Sequence, residues 1–377
     1  MPLPAELVTE ARALTHWLTG AAYPRWRAAG IDPATGGFVE AIGQDGVALT
    51  VPRRGRVPPR QVYSFAHAPR LGAALDPRPL MQAAFADYRR RYRRDDGFYR
   101  TLVAVDGRVL DDSVLLYDQA FVLLALAELT RLLPGHTEYA AEAVALRTLI
   151  ETRLRSDGGA FLSAPGATSR VEANPHMHVL EACLGWTDVG GDARWAALAA
   201  EIVALARRLF IRGAHGALFE VVNADGSVPD GIDGRLIEPG HQFEWAWLLL
   251  RQGGDTDPRA RDTALALIAV GERFGVQDGF AVAALREDGT VHDPVARLWP
   301  QTERLKAALA AHRVDGDAAH LDHALAAITA LKRYLDTPLP GLWWDARRAD
   351  GSLADGPAPA SSFYHLVCAI HSLHHAV

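Results

Sequence analysis

A short signature of glycine followed by an aromatic residue recurs six times along this 377-residue chain. In each copy the aromatic follows a glycine within three residues, and successive aromatics are 58 to 63 residues apart. A nearly fixed period of this length indicates a repeat architecture, in which each unit buries its apolar face against its neighbours. The six copies are TGGFVE (Phe38), DDGFYR (Phe98), GGAFLS (Phe161), HGALFEV (Phe219), QDGFAV (Phe280) and PGLWWD (Trp343).

Five of the six units also contain an Asp-Gly turn shortly after the aromatic residue. The third unit is shorter and has only APGA, at 164–167. A short strand, an Asp-Gly turn and a return segment are typical of a small β-hairpin, so we expect one hairpin per unit. The five turns are QDG at 44–46, VDG at 105–107, ADG at 224–226, EDG at 287–289 and ADG at 349–351.

Between the predicted hairpins lie about 40 to 45 residues with the apolar periodicity of α-helices, enough for two helices per unit. Examples are YDQAFVLLALAELTRLL, ARWAALAAEIVALARRLF and LDHALAAITALKRYL. Six helix pairs predict an all-α fold, an (α/α)6 barrel with the hairpins at one end, formed by a single domain over residues 1–377. An open helical solenoid is the alternative, but the repeat stops at six and no end unit has the polar character of a cap.

Each unit places an unusual polar or aromatic residue near the start of the helix that follows its hairpin. These residues lie 17 to 22 positions after the hairpin aromatic, and Asn174, one helical turn before His178, is a possible N-cap. Equivalent offsets in a ring of repeats imply equivalent heights, so the side chains are expected to converge on one pocket. The six residues are Arg60, Tyr117, His178, His241, Trp299 and His365.

Three histidines in one pocket indicate acid–base chemistry, because imidazole exchanges a proton near neutral pH. A helix N-terminus disfavours imidazolium, so the ring is expected to be available as a neutral base. Glu244, three residues after His241, is predicted to hold that histidine in one tautomer. Arg60 is suited to stabilising an oxyanion, and Trp299 to stacking on a sugar face.

Three other kinds of site remain open on these residues. A metal site could use His178, His241, His365 and a carboxylate, although HExxH or a comparable local ligand pair is missing. A glycosidase would need two carboxylates flanking the scissile bond, for which the candidates are Glu244 and Glu303, with Asp111, Asp112 and Asp118 nearby. A non-catalytic sugar-binding module would explain the aromatics and the arginine but not the repeated histidines.

The composition excludes several other classes of protein. The formal net charge is -6, which gives no electrostatic case for nucleic acid, and the basic run YRRRYRRDD (88–96) is typical of a solvated helix end. Cys183 and Cys368 are far apart and outside any CxxC motif, which argues against a disulfide framework or a thiolate zinc site. Without a signal-like or membrane-spanning segment, a cytoplasmic protein is expected, as a monomer or homodimer.

Several segments that carry these residues resemble the N-acylglucosamine 2-epimerase superfamily, which includes mannose isomerases, cellobiose 2-epimerases and sulfoquinovose isomerase. Together they extend in register over most of the chain, and the Asn174/His178 and His241/Glu244 pairs are fairly specific. The matching segments are RQVYSFA, NPHMHVLEA, EPGHQFEWAWLL, RLWPQTERLKAAL and SSFYHLV.

The resemblance implies an (α/α)6 barrel that interconverts sugars at C1 and C2 without a metal or other cofactor. His241 and His365 match the family's paired acid–base histidines, and the implied intermediate is a cis-enediol. Protonation at C1 then gives a ketose, and protonation on the opposite face of C2 gives an epimer. The other implied active-site positions are Arg60, Asn174, His178 and Glu244, and the implied substrate-contacting aromatics are Tyr117 and Trp299. Glu303 and Tyr63 are also predicted to bind the substrate.

The MH and FYHL forms and the modest length are most similar to the D-mannose isomerase group. No tryptophan precedes His365 in PAPASSFYHL, which disfavours a disaccharide, so a monosaccharide is the expected substrate and D-mannose to D-fructose the expected reaction. Sugar 2-epimerisation is an alternative. Another is isomerisation of a phosphorylated or sulfonated aldose, because Arg53, Arg54 and Arg56 precede Arg60 in a loop that could hold such an anion.

Overall fold

Six helices surround a central axis in the computed structural model, which describes residues 3–167 and 170–377. Each of these inner helices contacts the inner helix before it and the one after it, and the last contacts the first. The ring is therefore closed, and the (α/α)6 barrel predicted from six repeats is confirmed. The inner helices are α3 (Val57–Ala66), α5 (Leu116–Leu132), α7 (Ala173–Asp188), α9 (Pro239–Gly253), α11 (Leu298–Asp315) and α13 (Ala360–Ala376).

A second layer of helices packs around the first, one against each inner helix. Its first member is interrupted: α1 (Ala5–Trp17) continues through a π-helical segment, Leu18–Ala22, into α2 (Tyr23–Ala29). The α1 helix packs on α13, which joins the first and last units. The other outer helices are α4 (Arg78–Tyr92), α6 (Glu138–Arg153), α8 (Ala193–Leu209), α10 (Pro258–Gly275) and α12 (Ala319–Leu335).

The two layers differ in how their apolar residues are distributed. The outer helix α8 buries one stripe, Trp195, Leu198, Ile202 and Ala206, at the spacing of an amphipathic helix. The inner helix α5 is buried on nearly every side. One hydrophobic cluster extends from Leu7 to Leu373 and includes residues of all six inner helices. Among the described residues, no helix combines the length and apolar character that crossing a bilayer requires.

Short strands cap one end of the barrel. The predicted Asp-Gly turns are present: at Gly46, Gly107, Gly226, Gly289 and Gly351 the φ angle is 83–89°, and each N–H donates to the carbonyl three residues earlier. The strands are β1 (Ala41–Ile42), β2 (Arg53–Arg54), β3 (Leu102–Val103), β4 (Val109–Asp111), β5 (Arg170–Glu172), β6 (Ile211–Arg212), β7 (Ala217–Leu218), β8 (Val221–Asn223), β9 (Leu236–Ile237), β10 (Val276–Gln277), β11 (Phe280–Ala281), β12 (Ala284–Arg286), β13 (Val291–Asp293), β14 (Ala296–Arg297), β15 (Ala346–Arg347) and β16 (Ala358–Pro359).

The strand pairing also joins neighbouring units, which the hairpin prediction did not include. A strand that follows one outer helix pairs with the strand just before the neighbouring unit's inner helix, as in β3 with β2, β8 with β5, β12 with β9 and β15 with β14. The pairing of β1 with β16 closes the series between the first and last units. The strands therefore form a discontinuous collar around the mouth of the barrel.

Buried glutamines in the first turns of the inner helices bind the collar to the barrel. The Gln119, Gln242 and Gln301 amides each accept from a hairpin N–H and donate to the carbonyl of the same residue, at 2.8–2.9 Å. The residues held in this way are Tyr99, Leu218 and Ala281, each directly next to the recurrent aromatic residue of its unit. These paired bonds fix the height of each hairpin relative to the helix start.

Candidate active site

A pocket of about 620 Å³ opens at the N-terminal ends of the inner helices, inside the collar. Every inner helix contributes at least one of its lining side chains. Eight of the ten predicted site residues line it: Arg60, Tyr117, Asn174, His178, His241, Glu244, Trp299 and His365. The convergence expected from the repeat offsets is therefore present.

The other two predicted residues lie below the pocket and do not line it. Glu303 has no exposed surface and accepts a hydrogen bond from Nδ1 of His365 at 2.8 Å. Tyr63 stacks on His67 and meets Tyr364 edge to face. Glu303 thus reaches the pocket through His365, and Tyr63 is a packing residue in this geometry.

His241 lies beside two carboxylates at the first turn of α9. Its Nδ1 donates to Oε2 of Glu220 at 2.7 Å, and Oε2 of Glu238 is 3.6 Å from the same nitrogen. Burial opposes a charged ring, but the two carboxylates outweigh it and raise the pKa of His241 to about 10. At neutral pH the ring is an imidazolium, so the neutral base expected from the helix N-terminus is wrong for this histidine.

Glu244 does not hold His241, contrary to the prediction from their spacing. The orienting carboxylate is Glu220, which lies between β7 and β8 and approaches from the collar. Glu244 points deeper, and its Oε1 is buried without a hydrogen-bond partner among the described residues. Burial, with repulsion from Glu303, raises the pKa of Glu244 well above its ordinary value, which favours a protonated carboxyl at this position.

His365 has the opposite electrostatic surroundings. Burial lowers its pKa well below the ordinary value, and the positive charges of Arg60 and Lys306 act in the same direction. Its Nδ1 is engaged by Glu303, which leaves Nε2 as the nitrogen free to react. His365 is therefore a neutral imidazole at neutral pH.

The indole of Trp299 lies between the two histidines. Its ring centroid is 5.1 Å from that of His241 and 5.6 Å from that of His365. Gly240, immediately before His241, makes room for this ring, because a Cβ at that position would collide with the indole. The arrangement provides an aromatic surface flanked by one protonated and one neutral imidazole.

A second group of polar side chains comes from α3, α5 and α7. The Arg60 guanidinium donates to the Tyr117 hydroxyl and lies 4.0 Å from the centroid of the Phe121 ring. Nδ1 of His178 donates to Glu181 at 3.2 Å, and burial lowers the pKa of His178 to about 4. A fixed positive charge and a neutral imidazole therefore face the pocket on this side.

Unused hydrogen-bonding atoms mark the pocket as a site for a polar ligand. Nε of Arg60, Oδ1 of Asn174 and Oε1 of Glu244 are buried and have no partner among the described residues. Asn174 is not the N-cap suggested by the sequence, because α7 already begins at Ala173. Its side chain is consequently free to meet a ligand. Hydroxyl groups of a sugar would satisfy donors and acceptors of this kind.

The three arginines in the loop before Arg60 do not all face the pocket. Arg54 and Arg56 line the pocket together with Arg297. Arg53 instead turns away, where it forms an ion pair with Asp32 at 2.7 Å. Two of the three arginines proposed for anion binding are therefore at the mouth.

The metal alternative does not match the positions of the histidines. In the described part of the chain, three clusters bring potential ligand atoms within 4.8 Å of one another, and each contains one histidine and two carboxylates. The predicted set of three histidines around one ion is not formed. The clusters are His178/Glu181/Glu244, Glu220/Glu238/His241 and Glu244/Glu303/His365.

The glycosidase alternative fails on the positions of the carboxylates. Glu244, which lines the pocket, and Glu303, which lies below it, have oxygens within 4.8 Å of each other, whereas catalytic carboxylates lie roughly 5–9.5 Å apart on opposite sides of a glycosidic bond. Asp118 is fully buried next to Arg56, and Asp111 and Asp112 are exposed on the collar outside the pocket. None of these pairs flanks the pocket as that chemistry requires.

Sequence reasoning missed Glu220 and Glu181, whose carboxylates contact His241 and His178, and it missed the buried Lys306, which contacts Glu303. Glu220 follows the recurrent aromatic Phe219 directly, in the unit that carries His241, so the signature itself was an available signal. Glu181 follows His178 by three residues, the spacing noticed for His241 and Glu244 but not applied here. For Lys306 the only signal was a lysine in an otherwise buried helix.

Comparison with known proteins identifies the family of this chain. Residues 36–369 match the N-acylglucosamine 2-epimerase (GlcNAc 2-epimerase) family. A mannose-6-phosphate isomerase of Rhizobium meliloti (strain 1021) is 42% identical over 373 residues, which cover 97% of this chain and 96% of that protein.

Solved structures share the fold at lower sequence identity. A D-mannose isomerase superposes with a TM-score of 0.87 at 21% identity, covering 100% of both chains. A cellobiose 2-epimerase from Bacillus thermoamylovorans B4167 gives 0.84 at 22% identity, covering 98% of this chain and 100% of its own. With the family match over most of the sequence, the chain belongs to the N-acylglucosamine 2-epimerase family of sugar isomerases and epimerases.

Proposed function

We propose that this protein is an aldose–ketose isomerase that interconverts D-mannose and D-fructose through a cis-enediol intermediate. The observation that carries the proposal is the pair of histidines flanking Trp299, of which His241 has its pKa raised to about 10 and His365 has its pKa lowered. At neutral pH the pair supplies one proton donor and one proton acceptor. Moving hydrogen between two adjacent carbons requires both.

In the first half of the reaction, Nε2 of His365 takes the proton from C2 of the open-chain aldose. The electron pair of the broken C2–H bond forms the C1=C2 bond, and the Nε2 proton of His241 passes to O1. The product of this step is a neutral enediol, with His365 protonated and His241 neutral. No charge is left on the sugar, which limits the cost of the intermediate in a buried pocket.

In the second half, His365 returns its proton to C1 and the O2 hydroxyl proton passes to His241. The C2–O2 bond becomes the carbonyl of the ketose, and both histidines regain their starting states. Delivery of a proton to the opposite face of C2, with loss of the O1 proton and return of the C1 carbonyl, would give the 2-epimer instead. The same two residues thus support isomerisation and epimerisation, and access to C1 decides between them.

The remaining lining residues are assigned to binding and polarisation. Arg60 places positive charge where oxygen becomes electron-rich in the transition state, and the protonated Glu244 donates to a sugar hydroxyl. His178, Asn174 and Tyr117 bind other hydroxyls. This assignment uses the buried atoms that lack partners in the described part of the chain.

The test is incubation of the pure, EDTA-treated enzyme with D-mannose in deuterated water. We expect D-fructose to appear, with deuterium introduced at the carbon that accepts the returning proton. Sugar binding with neither ketose, epimer nor exchange would identify a binding module. Activity that disappears on chelation and returns with a divalent metal would support the metal alternative.

A phosphorylated substrate is a second candidate, because Arg54, Arg56 and Arg297 line the pocket. The relative that is 42% identical is named a mannose-6-phosphate isomerase. However, each of the three arginines already contacts a carboxylate, Glu40, Asp118 and Asp345 respectively. A phosphate would have to replace or share these contacts.

Comparison of kcat/KM for D-mannose and D-mannose 6-phosphate separates the two candidates. If the phosphate is recognised, Arg54→Gln and Arg56→Gln should each raise KM for the phosphorylated sugar about tenfold, the equivalent of one charge-assisted hydrogen bond, and leave D-mannose unaffected. Arg78→Gln is the control, because Arg78 forms an exposed ion pair outside the pocket lining. Equal effects on both sugars would exclude a phosphate role for the two arginines.

A further inference from the structure

Lys306 lies inside the barrel directly below the candidate active site. The chain has only two lysines, and this one has no exposed surface. Its Nζ is 2.6 Å from Oε2 of Glu303, one turn earlier on α11, and 3.8 Å from the centroid of the Trp247 ring on α9. Lysine is rarely buried so completely without a partner, because its charge is strongly hydrated in water.

The two oxygens of Glu303 face different partners. Oε2 is next to Lys306, and Oε1 accepts the hydrogen bond from Nδ1 of His365 at 2.8 Å. A continuous chain of contacts therefore leads from a buried ammonium through a carboxylate to the imidazole at the pocket surface. The reaction proposed above does not use Lys306 directly.

The charges around this chain make the ionisation of Glu303 depend on the lysine. Burial raises the pKa of Glu303, and the ammonium of Lys306 opposes that rise. Burial alone would lower the pKa of Lys306, but Glu303 and other neighbouring acidic groups raise it above its ordinary value, so the ammonium persists. Without the positive charge, burial and the nearby carboxylate of Glu181 would favour a protonated Glu303.

The protonation state of Glu303 decides which nitrogen of His365 carries the hydrogen. An ionised carboxylate can only accept, so Nδ1 must be the donor and Nε2 keeps a lone pair toward the pocket. A protonated Glu303 could donate to Nδ1, and the ring hydrogen would then move to Nε2. In that tautomer His365 cannot remove a proton from a substrate.

We propose that Lys306 is a positioning residue that fixes the reactive tautomer of His365 by keeping Glu303 ionised. This inference rests on the proposed role of His365 as the base. It assigns a function to a buried charge pair that would otherwise only add a desolvation cost.

The central variant is Lys306→Met, which removes the charge and nearly preserves the volume. We expect kcat to fall about 100-fold, within the range for losing general-base catalysis, while KM changes less than about threefold. The control is Lys332→Met, because Lys332 is the other lysine and pairs with Glu10 on the surface. Lys306→Arg keeps the positive charge and should recover most of the lost activity.

A spectroscopic measurement follows the tautomer without depending on turnover. The ¹⁵N shifts of the imidazole ring, assigned by comparison with His365→Gln, should report Nδ1–H in the wild type and Nε2–H in Lys306→Met. An unchanged tautomer in the variant overturns the proposal, even if activity is lost. Wild-type kcat in Lys306→Met overturns it as well.

A double variant covers the case in which Lys306→Met does not fold. Glu303→Gln combined with Lys306→Met removes both buried charges, and its kcat is compared with that of Glu303→Gln alone. If the lysine acts only through Glu303, the two values agree; a further loss of more than about threefold contradicts the proposal. Absence of both ketose formation and C2 exchange in the wild-type enzyme would instead reject the proposed function, while the ¹⁵N shifts would still report on Lys306.

Discussion

The pocket contains two histidines, His241 and His365, whose surroundings favour opposite protonation states. His241 and His365 both lie near the N-terminus of an inner helix, and both offer Nδ1 to a glutamate at 2.7–2.8 Å. Yet the pKa of His241 is raised to about 10, and that of His365 is lowered. The helix position and the direct hydrogen bond are shared, so neither explains the difference.

The difference in pKa comes from the other charged groups near each ring, beyond the glutamate that is hydrogen-bonded to it. Around His241 a second carboxylate, Glu238, adds to Glu220, and among the described residues no lysine or arginine forms an ion pair with either of them. Around His365 the carboxylate of Glu303 is already paired with Lys306, and Arg60 adds another positive charge. Two identical imidazoles thereby become an acid and a base in one pocket.

The strongest test of the comparison is to remove each imidazole separately. His241→Gln and His365→Gln should each lower kcat about 10²–10⁴-fold, the usual contribution of a positioned acid or base. Isotope exchange at C2 measures the step assigned to His365, so His365→Gln should abolish it. His215→Gln, at an exposed histidine outside the pocket lining, is the control. Near-wild-type turnover in either active-site variant would remove that residue from the mechanism.

A weaker test removes the carboxylate that makes His241 acidic. In the wild type, kcat/KM should decline only above pH about 10, as His241 loses its proton. Glu220→Gln removes stabilisation of the imidazolium and so lowers this pKa. The alkaline limb should move down by about one pH unit or more, since one unit corresponds to about 1.4 kcal/mol.

The matched control for that variant is Glu172→Gln, which removes a carboxylate from the same pocket. Glu172 bonds to Ser163 and not to His241. The alkaline limb should stay in place in Glu172→Gln. If both variants shift it equally, the effect is one of overall pocket charge and the special role of Glu220 is rejected.

The smallest expected effect comes from replacing the buried glutamines that hold the hairpins, Gln242 on α9 and Gln301 on α11. Gln242→Met and Gln301→Met should each lower the free energy of unfolding by about 1–3 kcal/mol, because two buried backbone groups lose their partner. Gln242 holds Leu218, two residues before Glu220, so only Gln242→Met should also shift the alkaline limb. Urea unfolding and pH profiles of kcat/KM measure the two effects. A shift of the alkaline limb in Gln301→Met as well would contradict the conclusion that the hairpin held by Gln242 is the one that sets the pKa of His241.

The barrel could be predicted from the sequence because its signals are local and repeated. Glycine turns, helical periodicity and a period near 60 residues occur in nearly every unit. The pairing of β2 with β3, or of β1 with β16, had no such signal, since it joins short segments from different units. Two-residue strands carry too little pattern to identify their partners.

The repeat spacing also predicted most of the residues that were expected to line the pocket. It did not predict which side chains contact each other there. Spacing along one helix suggested Glu244 as the partner of His241, whereas the partner comes from the collar as Glu220. Helical spacing shows which side chains share a face; it does not show which residue approaches from another unit. Lys306 was missed because a charged residue in a buried helix has no meaning until its neighbours are known.

The closed ring has a consequence for how the protein opens. Each inner helix has two inner neighbours, and the collar joins the first unit to the last through β1 and β16. In an open array the terminal repeats fray first, since they have one neighbour each. Here every repeat must break two interfaces to unfold. The backbone amides of the six inner helices should therefore exchange hydrogen slowly and at similar rates, because one cooperative unfolding step exposes them all.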